Sequence, residues 1–383
     1  MSWITIGAVP LLIAGLSLVL FKTISWKEFL IQVLVSIGVV SISVLIIYSS
    51  NVGDTEIWSG RVTKKDKEWT PCSHSYQCRC RTEETCSGSG KDRSCTSHEV
   101  CDTCYEHSND WDWTVRTSNG EIIYIDRIDR QGANTPPRWE SVQINEPTAQ
   151  PHRYTSYIKA APDSLFRHQG LTTKYAGTLP PYPGKVYDYY NLNRLVTQGV
   201  SVDNTPWNQG LMNINADIGS QKQVNMVVVL TDQDPEWFYA LEESWIGGKK
   251  NDAILVIGVD PTGKKRWANV MAWTLDKALE STLSREIMSQ PDLDAKSTLE
   301  IFRKAVEESY KRKPMADFSY LKASIRPTGT QYTIAIIINI IIAILLTLAF
   351  HFEVFDIHHD RYVSKFRKNV YRRSKCPHKT KSF

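Results

Sequence analysis

The chain has 383 residues, 45 Lys and Arg against 41 Asp and Glu, a net charge of +4, and eight cysteines. That length leaves room for two or three modest domains. The slight basic excess sits at one end of the chain, which excludes the basic face that a nucleic-acid-binding domain needs.

Residues 4–21 and 29–48 carry no charge, and neither shows a polar stripe. A helix of such length rises about 1.5 Å per residue and so crosses a ~30 Å hydrocarbon core. A secretory signal would need a basic start, yet Met1 to Phe21 holds no Lys or Arg and a second apolar run follows at once. Residues 1–50 are therefore expected to form a transmembrane hairpin.

Residues 51–144 read as a small β module that brackets a cysteine-rich segment. Glu56 to Thr63 has strand character, and Trp111, Trp113 and Val115 alternate with polar residues. Asn119-Gly120 then precedes Ile122 to Ile125. Asn-Gly between two β-rich runs signals a hairpin with positive φ at both central residues. Residues 145–184, rich in Pro, Tyr, His and Thr, read as a linker with a short helix within Tyr154 to Phe166.

Residues 185–312 read as an α/β domain. Val224 to Leu230 and Ala253 to Val259 are near-continuous apolar runs, as expected of strands buried on both faces. Between them Asp234-Pro235-Glu236 opens a helix carrying Trp237, Ala240, Leu241 and Trp245 at helical spacing. Strand–helix–strand implies a parallel pair. Trp267 to Trp273 is a third strand, and Leu279 to Ile287 and Ala295 to Tyr310 are helices.

After a juxtamembrane linker, 313–332, the third span is expected at 333–352, with Asn339 its only strongly polar residue before Phe350. Asn339 offers a hydrogen bond either to a second copy or to the chain's own helices. The tail 353–383 has nine Lys or Arg against three acidic residues. Basic flanks stay cytoplasmic. The tail and the loop with Lys22 and Lys27 are then cytoplasmic, and the near-neutral region 51–330 is extracytoplasmic. The tail also suits anionic lipid headgroups.

The stretch Val186 to Tyr310 resembles the TPM domain family of membrane-tethered extracytoplasmic domains. The resemblance rests on the strand Val224–Leu230, a helix ending in Trp245, the loop Ile246-Gly247-Gly248-Lys249-Lys250-Asn251-Asp252, and the strand Ala253–Val259. The family's acidic residue ahead of an amphipathic helix would correspond to Val186-Tyr187-Asp188 before Leu192 and Leu195. Ala253 stands where the family usually has Gly, and the third strand ends Val270-Met271-Ala272-Trp273 without the family's Gly-containing motif. The resemblance implies a three-layer α/β/α fold. It also implies two kinds of role, accessory factor or weak phosphatase and divalent-cation binder.

Gly247 and Gly248 beside Lys249 could hold an anion through backbone N–H groups. Asp188, Asp232 and Asp252 could hold Ca²⁺ or Mg²⁺. The same residues also read as a helix cap, a turn, solvated lysines and strand-end aspartates. No Ser-His-Asp, Walker or paired-carboxylate signature appears.

Cys72, Cys78, Cys80, Cys86, Cys95, Cys101 and Cys104 lie in a segment with almost no apolar content, so a covalent or metallic staple is required. Disulfides suit an extracytoplasmic module and leave one thiol over. Zinc is the rival, with Cys101, Cys104 and His107 as one knuckle and Cys78, Cys80 and His74 completing the site.

The expected architecture is three transmembrane helices carrying an α+β ectodomain: a Cys-rich β module, then a TPM-like domain. The expected function is non-enzymatic, with no cofactor required. The protein would be a bilayer-anchored accessory or scaffold protein whose ectodomain binds a protein partner or another copy of itself, with no nucleic acid. Trp111, Trp113, Trp139, Trp207, Tyr182, Tyr187, Tyr189 and Tyr190 are candidate interface aromatics. The alternative is a metal-dependent phosphohydrolase on the TPM-like domain.

Overall fold

A computed structural model describes residues 3–21, 24–87, 94–166, 170–290 and 292–352. The basic tail, Lys22 and Cys376 lie outside the described residues. The chain forms two compact units, Met1–Val52 with Lys322–Phe383, and Gly53–Leu321.

The first unit holds α1 (Trp3–Leu20), α2 (Trp26–Val52) and the helix Gly329–His351 (α10), each long and apolar enough to cross a membrane. Leu12, Val19, Leu34, Ile42, Leu45 and Ile337 point outward, as lipid-facing residues should. The inner faces carry a polar seam. Gln32 accepts from Ser17 Oγ (3.0 Å) and donates to Thr347 Oγ1 (2.7 Å) and the Ala343 carbonyl (3.3 Å). Asn339 donates to Ser43 Oγ (3.3 Å), so of the two readings of that residue the structure shows a bond to the chain's own helices. Gln331 Nε2 donates to Asn51 Oδ1 (2.7 Å) and Ser50 Oγ (3.2 Å). The chain therefore leaves α2 and enters α10 at the same end of the bundle.

The second unit begins with β1 (Gly53–Thr70), an 18-residue strand that serves two purposes. Its first half pairs with β6 (Pro147–Thr155), from Gly53↔Thr155 to Arg61↔Pro147. Its second half pairs with β4 (Asp110–Thr117), which pairs with β5 (Ile122–Ile125). The sheet order is β5-β4-β1-β6. The region read as a linker thus supplies an edge strand, followed by the short helix α4 (Tyr157–Ala160). The β4–β5 turn differs from the expected one, because positive φ occurs at Gly120 (88°) and not at Asn119. The chain there makes a longer turn in which Thr117 N–H donates to the Glu121 carbonyl.

Between β1 and β4 the cysteine segment forms a hairpin of its own, β2 (Ser75–Ser87) with β3 (Ser94–Tyr105). Arg79, at φ 49°, lies in the bulge between Cys78 and Arg81. Short helices α3 (Pro137–Ser141) and α5 (Leu171–Lys174) follow β5 and α4.

The α/β part has the sheet order β10-β9-β8-β7. Strands β7 (Leu195–Gln198), β8 (Asn225–Thr231) and β9 (Asp252–Val259) run parallel, and β10 (Lys265–Ala272) is antiparallel to β9. Every residue of β8 and β9 is buried. Alternate strand residues face opposite layers. Met226, Val228, Leu230, Leu255 and Ile257 pack on α6 (Asn204–Lys222), α8 (Ala278–Met288) and α9 (Ala295–Ser309). Val227, Val229, Ile254 and Val256 pack on Trp237, Phe238 and Leu241 of α7 (Trp237–Ser244). Asp234 Oδ1 accepts from the N–H groups of Glu236 and Trp237, so it caps α7 from slightly further upstream than a formal N-cap.

The expected helix after Asp188 is absent. Tyr187 bridges to Asn191, Leu192 joins a cluster with Ile57 and Ala149, and Leu195 begins β7. The helix lies further on, at α6, where Asp203 Oδ1 accepts from Thr205 N–H and caps it. Leu192 and Leu195 are buried against strands, so their three-residue spacing does not mark a helical face.

Candidate functional site

The loop after α7 is a buried joint. Ile246, Gly247 and Gly248 take positive φ (56°, 68° and 76°). Gly247 N–H donates to Glu242 O and Gly248 N–H to Trp245 O, which closes the helix end. Those N–H groups are spent on the cap and do not cradle an anion. Lys250 is not solvated: it is buried and donates to the Lys313 carbonyl (3.2 Å). Asn251 donates to the Ile57 carbonyl of β1 (2.7 Å).

Asp252 is fully buried. Its Oδ1 accepts from Asn225 Nδ2 (2.8 Å), and its Oδ2 accepts from Tyr182 OH (2.8 Å) and Lys249 N–H (2.6 Å). Burial pushes this carboxyl up to about 6, against those hydrogen bonds and the Lys249 charge. Asn225 Oδ1 in turn accepts from buried Arg194, whose Nη2 donates to Ser59 Oγ on β1 (2.6 Å). Burial pulls Arg194 down to about 10. Lys249 Nζ reaches Asp54 Oδ1 (2.6 Å), and Tyr154 OH donates to Asp54 Oδ2 (3.1 Å). Arg312 grips Glu56 through both carboxylate oxygens (2.6 and 2.8 Å). These bonds fasten β1 to the α/β sheet, so the two halves of Gly53–Leu321 form one body.

The three aspartates are apart. Asp188 pairs with Arg138 (2.9 Å) and accepts from Asn191, while Asp232 accepts from Gln233 (2.6 Å). Among the described residues they do not converge as a cation-holding group.

In the cysteine segment, Cys78 bonds Cys104, Cys80 bonds Cys101, and Cys86 bonds Cys95. The disulfide reading thus holds over its zinc rival, because the sulfurs of the knuckles Cys101 with Cys104 and Cys78 with Cys80 are consumed in the bridges. Cys72 is the odd thiol, and it is buried. The Cys80–Cys101 and Cys86–Cys95 bridges share one face of the ribbon, because residues 80 and 86 are an even step apart on β2. Closing loops of this size constrains the unfolded chain by about 3 kcal/mol each. A two-stranded ribbon with almost every β2 side chain exposed lacks a core of its own and depends on that contribution.

At the root of the ribbon the structure brings Cys72, His74 and His107, each already a candidate in the sequence, together with Asp110, which was not, in a grouping the sequence did not suggest. Cys72 and His74 lie where the chain leaves β1, and His107 and Asp110 where it returns to β4. One ligand atom from each lies within 4.8 Å of all the others. The rings of His74 and His107 meet edge to face at 5.8 Å. Burial opposes ionisation of Asp110, but hydrogen bonds from Ser73 and Arg127 outweigh it and hold the carboxyl at about 2. The available signal was the spacing Cys-x-His and His-x-x-Asp at the two ends of the insertion. A second group, Cys80, Glu99 and Cys101, has both sulfurs in one disulfide.

Most of the candidate interface aromatics are core residues instead. Trp113, Tyr190 and Trp207 are buried, Trp139 packs on Trp113, and Tyr182 on Trp245. The exposed aromatics nearest the ribbon are Trp69, Tyr76 and Tyr105.

Comparison with known proteins finds no matching family model, no matching curated protein and no matching solved structure.

Proposed function

We propose that the protein is a membrane-anchored accessory or scaffold protein whose Gly53–Leu321 unit is extracytoplasmic and binds a protein partner or a second copy of itself. The observation that carries this reading is the ribbon β2–β3. It is stiffened by three disulfides, exposed along almost all of β2, and flanked at its base by the exposed aromatics Trp69, Tyr76 and Tyr105. A pre-ordered arm loses little entropy on binding. Disulfides and the basic tail both favour the extracytoplasmic orientation. The TPM-like assignment of residues 186–310 belongs to the same proposal. The parallel β8–α7–β9 unit supports it, and the missing helix after Asp188 weighs against it.

The phosphohydrolase reading finds less support, because the carboxylate of Asp252 is buried and both its oxygens already accept hydrogen bonds.

The test is in-cell photo-crosslinking from a benzophenone side chain at Thr85, near the ribbon tip, with Glu300 on α9 as control. The cells are also labelled with a membrane-impermeant maleimide. A discrete adduct from position 85 alone, with ribbon cysteines labelling only after reduction and Cys376 only after lysis, is the expected result. No adduct, or Cys376 reached from outside, refutes the reading. Cation-dependent cleavage of a phosphomonoester that is lost in Asp252→Ala would favour the hydrolase.

A further inference from the structure

We infer that Cys72, His74, His107 and Asp110 bind one Zn²⁺ as a structural site that locks the disulfide ribbon to the sheet. The inference concerns how the ribbon is held and stands whether or not the ribbon is a binding arm.

The geometry is that of a closed site. Two ligands come from each of the two chain segments that join the ribbon to the β1–β4 pair, where Thr70 and Asp110 are register partners. Two imidazoles, a thiolate and a carboxylate make a four-ligand protein set, and structural zinc is held by four protein ligands in tetrahedral array. Ligand atoms within 4.8 Å of one another need only draw inward slightly around an ion with bonds of about 2.0–2.3 Å. A thiolate beside imidazoles favours Zn²⁺ over the oxygen-seeking Ca²⁺ and Mg²⁺.

The second, independent observation is unmet polar capacity. Asp110 is fully buried, and its Oδ1 accepts no hydrogen bond. His107 Nε2 is buried without a hydrogen-bond partner, with Glu106 Oε2 at 3.8 Å. The thiol of Cys72 has only long contacts, 3.9 Å to His74 Nδ1 and 3.7 Å to the His74 carbonyl. Buried polar atoms are normally satisfied, so orphans on two of four converging side chains call for a ligand.

The surroundings fit a cation. The other Asp110 oxygen accepts from Ser73 N–H and Oγ (3.1 Å each), lies 3.5 Å from His74 Nδ1, and pairs with Arg127 (3.0 Å). Ser73 and Arg127 would orient a metal-bound carboxylate from outside, while the 3.5 Å approach to His74 lies between two of the proposed ligands. One thiolate and one carboxylate neutralise Zn²⁺, and the charge of Arg127 is shared with Asp112 (2.7 Å). The site also accounts for the odd cysteine, since coordination keeps Cys72 out of disulfide exchange with the six bonded sulfurs.

The test uses full-length protein with Cys376→Ser, purified in detergent without reductant, so that Cys72 is the one free thiol. Metal content is measured, and Cys72 alkylation is timed with and without a chelator. One zinc per chain is expected, with alkylation accelerated about tenfold or more by the chelator. Loaded with Co²⁺, the protein should show a thiolate-to-cobalt band in the near ultraviolet that Cys72→Ser abolishes. His107→Cys, which keeps four ligands, should retain the metal and raise that band about twofold. Absence of bound metal, a full equivalent that survives Cys72→Ser, or alkylation indifferent to the chelator overturns the assignment.

Discussion

Lys249 Nζ lies 2.6 Å from Asp54 Oδ1, joining the loop after α7 to the first residues of β1, 195 positions away in sequence. Asp54 is almost wholly buried at its carboxylate, and Lys249 is one-quarter exposed. Removing one partner of a largely buried pair leaves the other poorly solvated. Lys249→Ala should cost about 1–3 kcal/mol of unfolding free energy. A double-mutant cycle with Asp54→Asn should return a coupling of about 1–2 kcal/mol. An unchanged unfolding midpoint in Lys249→Ala would mean that the pair contributes nothing to the joint.

Asp252 should give stability a particular pH dependence. Its carboxyl is pushed up to about 6 in the folded protein, from 3.8 in the unfolded chain. Between about pH 4 and 6 the folded state keeps a proton that the unfolded state has lost. Stability therefore falls as pH rises across that window and levels off above it. The two-unit difference corresponds to about 3 kcal/mol. In Asp252→Asn this component is absent, so the variant's thermal unfolding profile over pH 4–7 should lack the fall seen in wild type. Identical profiles would show that another group sets the slope.

The elements legible in the sequence were those whose burial is uniform. The three charge-free spans, and β8 and β9 with apolar residues on both faces, needed no partner to be recognised. Helix α6 was missed because it carries Asn204, Asn208, Asn213 and Asn215 among its apolar residues, two of them in tertiary hydrogen bonds. Asn208 accepts from the N–H groups of Arg194 and Leu195, and Asn215 bonds both ways with the backbone of Met226. A helix that uses polar side chains to grip neighbouring strands has no clean apolar period to read. β6 was hidden for a related reason, as an edge strand containing Pro147 and Pro151 that pairs on one side only. The proposed metal-ligand group joins residues more than thirty positions apart, and in the sequence His74 and His107 read as partners of the nearer cysteines, which the disulfides consume.

Gly258 and Trp267 are register partners across β9 and β10. A β-carbon on Gly258 would lie 2.0 Å from Trp267 Nε1, within a strand buried at every position. The indole cannot simply swing away, because Nε1 donates to the Gln233 carbonyl (3.1 Å). Gly258→Ala should therefore destabilise the protein by about 1–3 kcal/mol through overpacking. Adding Trp267→Leu to Gly258→Ala should recover part of that loss, although Trp267→Leu alone is destabilising. Additive losses in the double variant would show that the strain lies elsewhere.

Gln32 and Asn339 both place buried polar groups between the membrane helices, and they differ in how well those groups are bonded. Gln32 bonds both α1 and α10, through Ser17 and Thr347. Both partners retain local acceptors, Ser17 with the Ala14 carbonyl and Thr347 with the Ala343 carbonyl. Gln32→Leu should accordingly cost only about 0.6–2 kcal/mol in a detergent unfolding titration. Asn339 contributes less inside the chain, since its bond to Ser43 is long at 3.3 Å and its buried Oδ1 has no hydrogen-bond partner. Asn339→Leu should therefore cost less than Gln32→Leu when the protein is dilute. If Asn339→Leu proves the more costly, the single bond to Ser43 outweighs the Gln32 bonds and the ranking by bond number and length fails.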